Sequence, residues 1–197
     1  MKTQHTHHNS KGFTLVELLV VIAIIAVLAA AGFAGGTAAM NRARKVSTQA
    51  AAVSIATAVE QFYAEYSALP DTSTAGSSTD VELNTTTGNG VTLLEVLAGI
   101  RDDGQNPRKI RFLTTKEGSG KKGGVIYASD GKSITGMYDS WGQPYYIWLD
   151  YDYDERLTFT PQGLSTAVNL NGKRVAVYSL GVDTPGDVKS STLVKSW

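Results

Sequence analysis

Gly12-Phe13-Thr14-Leu15-Val16-Glu17-Leu18-Leu19-Val20-Val21-Ile22 opens the segment on which the fold of this 197-residue chain turns. From Leu18 to Asn41 no side chain is charged. These 24 residues exceed the ~20 that cross a bilayer as a helix. The apolar density falls after Ala31, where Gly32, Gly35 and Gly36 follow. Lys2 and Lys11 precede the segment and Arg42, Arg44 and Lys45 follow it, so the charge count leaves its orientation open.

Three readings fit such a segment. A secretory signal peptide would be cut near Ala29-Ala30-Ala31, and a plain anchor would stay in place. The third reading turns on Glu17, one residue before the charge-free run. A carboxylate costs about 2.5–3.5 kcal/mol at mid-membrane and less near the interface. A cut after Gly12 would give it a partner, because the new amino group of Phe13 is a positive charge at the same depth. Pairing would offset the desolvation of both.

Lys11 to Ile22 resembles, nearly residue for residue, the processing motif of bacterial type IV prepilins and type II secretion pseudopilins. The resemblance implies that a prepilin peptidase cuts between Gly12 and Phe13 and N-methylates Phe13, and that Met1–Gly12 stays cytoplasmic. It also implies assembly of the processed chain with identical or related subunits, on an inner-membrane platform, with Glu17 as an assembly residue. The expected localisation is a single pass through the inner membrane, the C-terminal domain lying outside the cytoplasm, followed by a periplasmic or extracellular filament.

Beyond the basic trio the chain has no proline until Pro70. Ala52, Ile55, Val59, Phe62, Tyr66 and Leu69 follow one another at helical spacing, with polar residues between them. The spacing predicts a helix over 13–69, about 85 Å at 1.5 Å per residue, whose second half packs on its own domain. Gly32, Gly35 and Gly36 weaken it by about 1 kcal/mol each relative to Ala. They read equally as a segment that melts and as one that packs closely on another helix.

The remainder, 70–197, reads as one globular domain. Asp71–Gly90 is rich in Ser, Thr, Gly and Asn and reads as a long loop, and Val91–Gly99 as a short helix. Lys109–Thr114, Gly124–Ser129, Tyr145–Asp150 and Arg174–Leu180 read as strands. Lys116–Gly124 resembles a phosphate loop only loosely, because Thr115 and Lys122 occupy obligatory motif positions; it reads as a hairpin tip. The expected fold is α+β and pilin-like: a leader over 1–12, a long helix over 13–69 with 18–41 as the spanning part, and a small antiparallel sheet.

Two further stretches, Asp139-Ser140-Trp141-Gly142-Gln143-Pro144-Tyr145 and Tyr178-Ser179-Leu180-Gly181-Val182-Asp183, resemble segments of the major pseudopilin of type II secretion. In those proteins the second segment begins a calcium loop, which implies Leu180, Asp183 and Asp187 as Ca2+ ligands here. The downstream stretch is shorter in this chain. Asp150, Asp152 and Asp154 copy the opening of an EF-hand, but Glu155 and Pro161 stand where the loop needs glycine and glutamate. A strand edge with solvent-facing carboxylates is the expectation there.

Composition narrows the function. There is no cysteine, and the three histidines lie within the first eight residues, so thiol catalysis, Cys–zinc sites and a His triad in the body are excluded. Lys+Arg and Asp+Glu are 18 each, which gives no basic excess to draw nucleic acid. A glycosidase-like carboxylate pair lacks any specifying pattern. The expectation is a structural subunit and not an enzyme. A pseudopilin is preferred to a type IV pilus subunit, because many pilus subunits close their C-terminal loop with a disulfide.

Overall fold

The computed structural model describes residues 12–72 and 79–197, and for residues 31–35 the backbone alone. The expected leader lies outside the described residues up to Lys11. The chain divides into two compact units, Met1–Arg42 and Ala43–Trp197. Helix α1, Leu15–Tyr66, contributes to both. It starts two residues later and stops three residues earlier than the sequence suggests. Helical backbone continues through Gly32, Gly35 and Gly36.

In the first unit the described apolar side chains of α1, such as Leu15–Val16, Leu18–Ile22 and Met40, are exposed. In the second, its stripe is the floor of the main core: Ala52, Ile55, Ala58 and Val59 are fully buried and Phe62 nearly so, while Tyr66 is half-buried. Burying residues of this size stabilises by about 1.5–3 kcal/mol each. The helix ends because Ser67 takes a left-handed conformation (φ 54°), with its N–H on the Tyr63 carbonyl at 2.7 Å. Arg174 fastens α1 from the sheet side. Its guanidinium lies 4.5 Å from the Tyr63 ring centroid, sits 3.7 Å from Glu60, and pairs with Glu155.

The strands are β1 (Val81–Asn84), β2 (Gly124–Tyr127), β3 (Ile134–Tyr138), β4 (Tyr145–Leu149), β5 (Arg156–Phe159), β6 (Val168–Asn171), β7 (Val175–Ser179) and β8 (Val194–Lys195). The main sheet runs β1-β4-β7-β8, antiparallel throughout, and β2-β3 and β5-β6 are separate hairpins. Side chains alternate across it. Ile147, Leu149, Val175 and Val177 join the α1 stripe. Tyr146, Ala176 and Tyr178 face a second cluster with Leu157, Phe159 and Leu180. Burial on both faces explains why β4 and β7 read as continuous apolar runs.

Three expectations change. Lys109–Thr114 is not a strand. The N–H groups of Phe112 and Leu113 both reach the Leu97 carbonyl, and buried Asn106 bonds Val96 and Ile110, strapping the segment over a helix end. That helix, α2, is Gly88–Leu97 and begins inside the expected loop. It can do so because Gly90 has no side chain, and a Cβ there would lie 1.9 Å from the Asn84 carbonyl oxygen. The loop also contains β1, whose register pairs Glu82 with Trp148 and Asn84 with Tyr146.

Candidate functional site

The N-terminus of α1 is fixed by its own residues. Thr14 precedes the first helical residue, and its Oγ1 accepts the Glu17 N–H at 3.3 Å. Glu17 Oε2 in turn accepts the Thr14 N–H at 2.8 Å and the Thr14 hydroxyl at 2.7 Å. This reciprocal pair is a capping box. The Thr-x-x-Glu spacing was readable in the sequence, and it gives Glu17 a role independent of any amine. Among the described residues only one carboxylate oxygen, Oε2, takes part in this cap. Gly12 has nothing within 4 Å of where a Cβ would stand. Phe13 is 76% exposed.

Behind the cap lies an uncovered apolar surface. Leu15, Val16, Leu18–Ile22, Ile24, Ile25, Val27 and Leu28 are exposed, from 44% at Val21 to 83% at Leu15. An apolar surface this long marks an interaction site. Among the described residues no helix is long and apolar enough to cross a membrane.

The structure joins the two segments Asp139–Tyr145 and Tyr178–Asp183, which lie some forty residues apart. Asp139 is fully buried. Its Oδ1 accepts the N–H groups of Trp141 and Gln143, both at 2.8 Å, and its Oδ2 accepts the Ser179 hydroxyl at 2.6 Å. Burial pushes this carboxyl above its ordinary value even though these donors oppose the shift. Next to it, Ser140 N–H reaches Thr48 Oγ1 on α1 at 3.2 Å. One carboxylate thus ties together a loop before β4, the end of β7 and a point beside the long helix.

The C-terminal loop is closed by hydrogen bonds. The Asp183 N–H reaches the Leu180 carbonyl at 3.3 Å, and Asp183 Oδ2 accepts the Lys189 N–H at 2.9 Å and the Thr192 hydroxyl. The Thr192 bond, then that from Lys189, holds the Asp183 carboxyl below the usual range. Asp187 is exposed and contributes its N–H to a turn with Thr184. Leu180 and Asp183 are therefore brought together, whereas Asp187 makes no described contact with either. Both bonds to the Asp183 carboxylate fall on Oδ2, from the Lys189 N–H and the Thr192 hydroxyl.

Asp150 departs from expectation. It is fully buried rather than solvent-facing, because the chain folds back over it: Asp154 and Glu155 donate N–H groups to its two oxygens. Tyr153 and Glu155 adopt left-handed φ near 60° to make that turn. Oxygens of Asp80, Asp150 and Asp152 lie within 4.8 Å of one another. Asp80, seventy residues upstream, carried no sequence signal for this grouping. Burial, then the hydrogen bond with Asp152, pushes Asp150 up to about 6. Its folded value is raised, so the stabilisation is present at acid pH and is lost as pH rises through about 6. Thermal unfolding at pH 5 and pH 8 should differ by a contribution on the order of 1–2 kcal/mol that Asp150→Asn removes. The same pH slope in both proteins would show that Asp150 does not titrate in this range.

Residues 7–33 match the family model described as prokaryotic N-terminal methylation motif. No curated protein and no solved structure matches the chain. The motif is typical of prepilin-type proteins, the type IV pilins and pseudopilins, and supports a pilin-like structural subunit. It implies processing by prepilin peptidase, assembly with pilin-like subunits and a membrane-anchored precursor.

Proposed function

We propose that this protein is a pseudopilin of a type II secretion apparatus, cleaved after Gly12 and N-methylated at Phe13. In this reading the precursor crosses the inner membrane once through 18–41, with its C-terminal domain outside the cytoplasm. An inner-membrane platform then lifts it into a helical filament that supports protein export. The role is structural rather than catalytic. The observation that carries the reading is the uncovered apolar surface of α1 directly behind a capped N-terminus that matches the methylation motif. Because lipid tails are as apolar as neighbouring helices, close packing and the Glu17–amine pair would drive assembly more than hydrophobicity itself. A C-terminal loop closed by Asp183 without cysteine favours the secretion filament over the pilus.

Intact-mass analysis of the protein from its native membrane tests the processing. The expected mass is that of the chain from Phe13 plus one methyl group. An intact leader, or a cut near Ala31, would overturn the reading. Gly12→Val should leave the fold unchanged, since open space surrounds this position, and should block cleavage completely. Deleting the gene should abolish export of secreted proteins while leaving surface pili in place. The reverse pattern would make the chain a pilus subunit.

A further inference from the structure

The second unit carries two complementary surface features. One is a groove of about 410 Å3 along β1, lined by Glu82, Asn84, Asn89, Tyr146 and Gln162 among others. Its carboxylate is rigidly held by neutral donors. Glu82 Oε1 accepts Trp148 Nε1–H at 3.2 Å and the Tyr178 hydroxyl at 2.8 Å, while Oε2 takes only a long contact from Gln162 at 3.4 Å. No ion pair reaches Glu82 among the described residues. The groove therefore offers a fixed negative charge, an aromatic ring and neutral amides, a combination that suits an ammonium group.

The other feature is the turn before β2. Ser119 and Lys122 exchange backbone hydrogen bonds at 3.0 and 3.2 Å, and the residues between them, Gly120 and Lys121, have φ 58° and 60°. Two successive left-handed residues make this a tight hairpin turn rather than a loose tip. The Gly123 N–H anchors it on the Asp139 carbonyl at 2.6 Å. Lys116, Lys121 and Lys122 are exposed on it beside a single acid, Glu117, and none of the three lysines forms an ion pair among the described residues. A preorganised turn loses little conformational freedom on docking.

We propose that the Lys116–Gly124 turn of one copy of this chain docks into the Glu82 groove of a second copy. The two surfaces are different patches of the same domain, so the contact is heterologous and propagates along an assembly instead of closing a dimer. This inference rests on the filament reading. It adds to that reading a contact between globular domains, independent of the N-terminal helix.

Assembled filaments of the full chain, treated with a zero-length carbodiimide and digested, supply the test. An amide between Glu82 and Lys116, Lys121 or Lys122 of another subunit is the expected product. Exposed Lys121→Glu with Lys122→Glu should fold normally and lower filament yield about three- to tenfold at low salt, less so as salt screens the charges. Glu82→Gln keeps the acceptor for Trp148 and Tyr178 and should have a similar effect. Glu82 joined to a lysine outside the turn, or to none, together with normal yield from the lysine variant, would overturn the docking. Failure of the unmodified, processed chain to form filaments at all would instead overturn the filament reading.

Discussion

Glu17→Gln should be inserted and cut after Gly12 as the natural chain is, yet fail to assemble into filaments. Glutamine preserves the capping box, since its amide oxygen can accept the Thr14 N–H that Glu17 Oε2 accepts at 2.8 Å. What it removes is the charge. The Phe13 amine released by processing would then be buried among neighbouring helices without a counter-ion, at a cost of about 3–5 kcal/mol. That corresponds to roughly a hundred- to several-thousandfold loss in subunit association. Glu17→Ala loses both charge and cap, so it should also fray the first turn of α1. Filament yield by sedimentation, with cleavage confirmed by mass, separates the two roles. Normal yield from Glu17→Gln beside poor yield from Glu17→Ala would reduce Glu17 to a helix cap.

The other large effect is expected at Asp139. Asp139→Ala leaves the N–H groups of Trp141 and Gln143 and the Ser179 hydroxyl without their acceptor, in a fully buried site. Losing charge-assisted bonds and stranding their partners should cost about 3–5 kcal/mol. In a domain of this size that lowers the melting temperature by roughly 10 °C. Asp139→Asn keeps an acceptor for the two backbone groups and should cost markedly less. Chemical denaturation of a chain beginning near Lys45 would measure both. A loss below about 1 kcal/mol for the alanine variant would mean that water replaces the carboxylate and that the two loops are held by other contacts.

The long helix was legible because its period is long and its punctuation clear. Ala52, Ile55, Val59 and Phe62 repeat at helical spacing, and all four are buried as expected. β4 and β7 were legible as dense apolar runs. What escaped depends on partners distant in sequence. Lys109–Thr114 has strand-forming residues, but its hydrogen bonds go to the end of α2, so propensity lost to a tertiary strap. β1 was hidden in a Ser/Thr/Asn-rich stretch because only Val81 and Leu83 mark it. Asp150 looked like a surface carboxylate, and only the fold-back of Asp154 and Glu155 buries it. The Thr14–Glu17 cap is local, and the Thr-x-x-Glu spacing alone marks it.

The Arg174 clamp has a mechanical consequence. Ala52 to Phe62 lies on the sheet as one buried stripe of about 15 Å. Arg174 locks it laterally through Tyr63 and Glu60. Tension applied along the axis of α1 therefore loads the buried stripe and the clamp in shear. Resistance to such a pull is governed by the unfolding rate rather than by equilibrium stability. A subunit that is hauled by its helix while its domain bears a load would be strongest in the direction in which it is pulled.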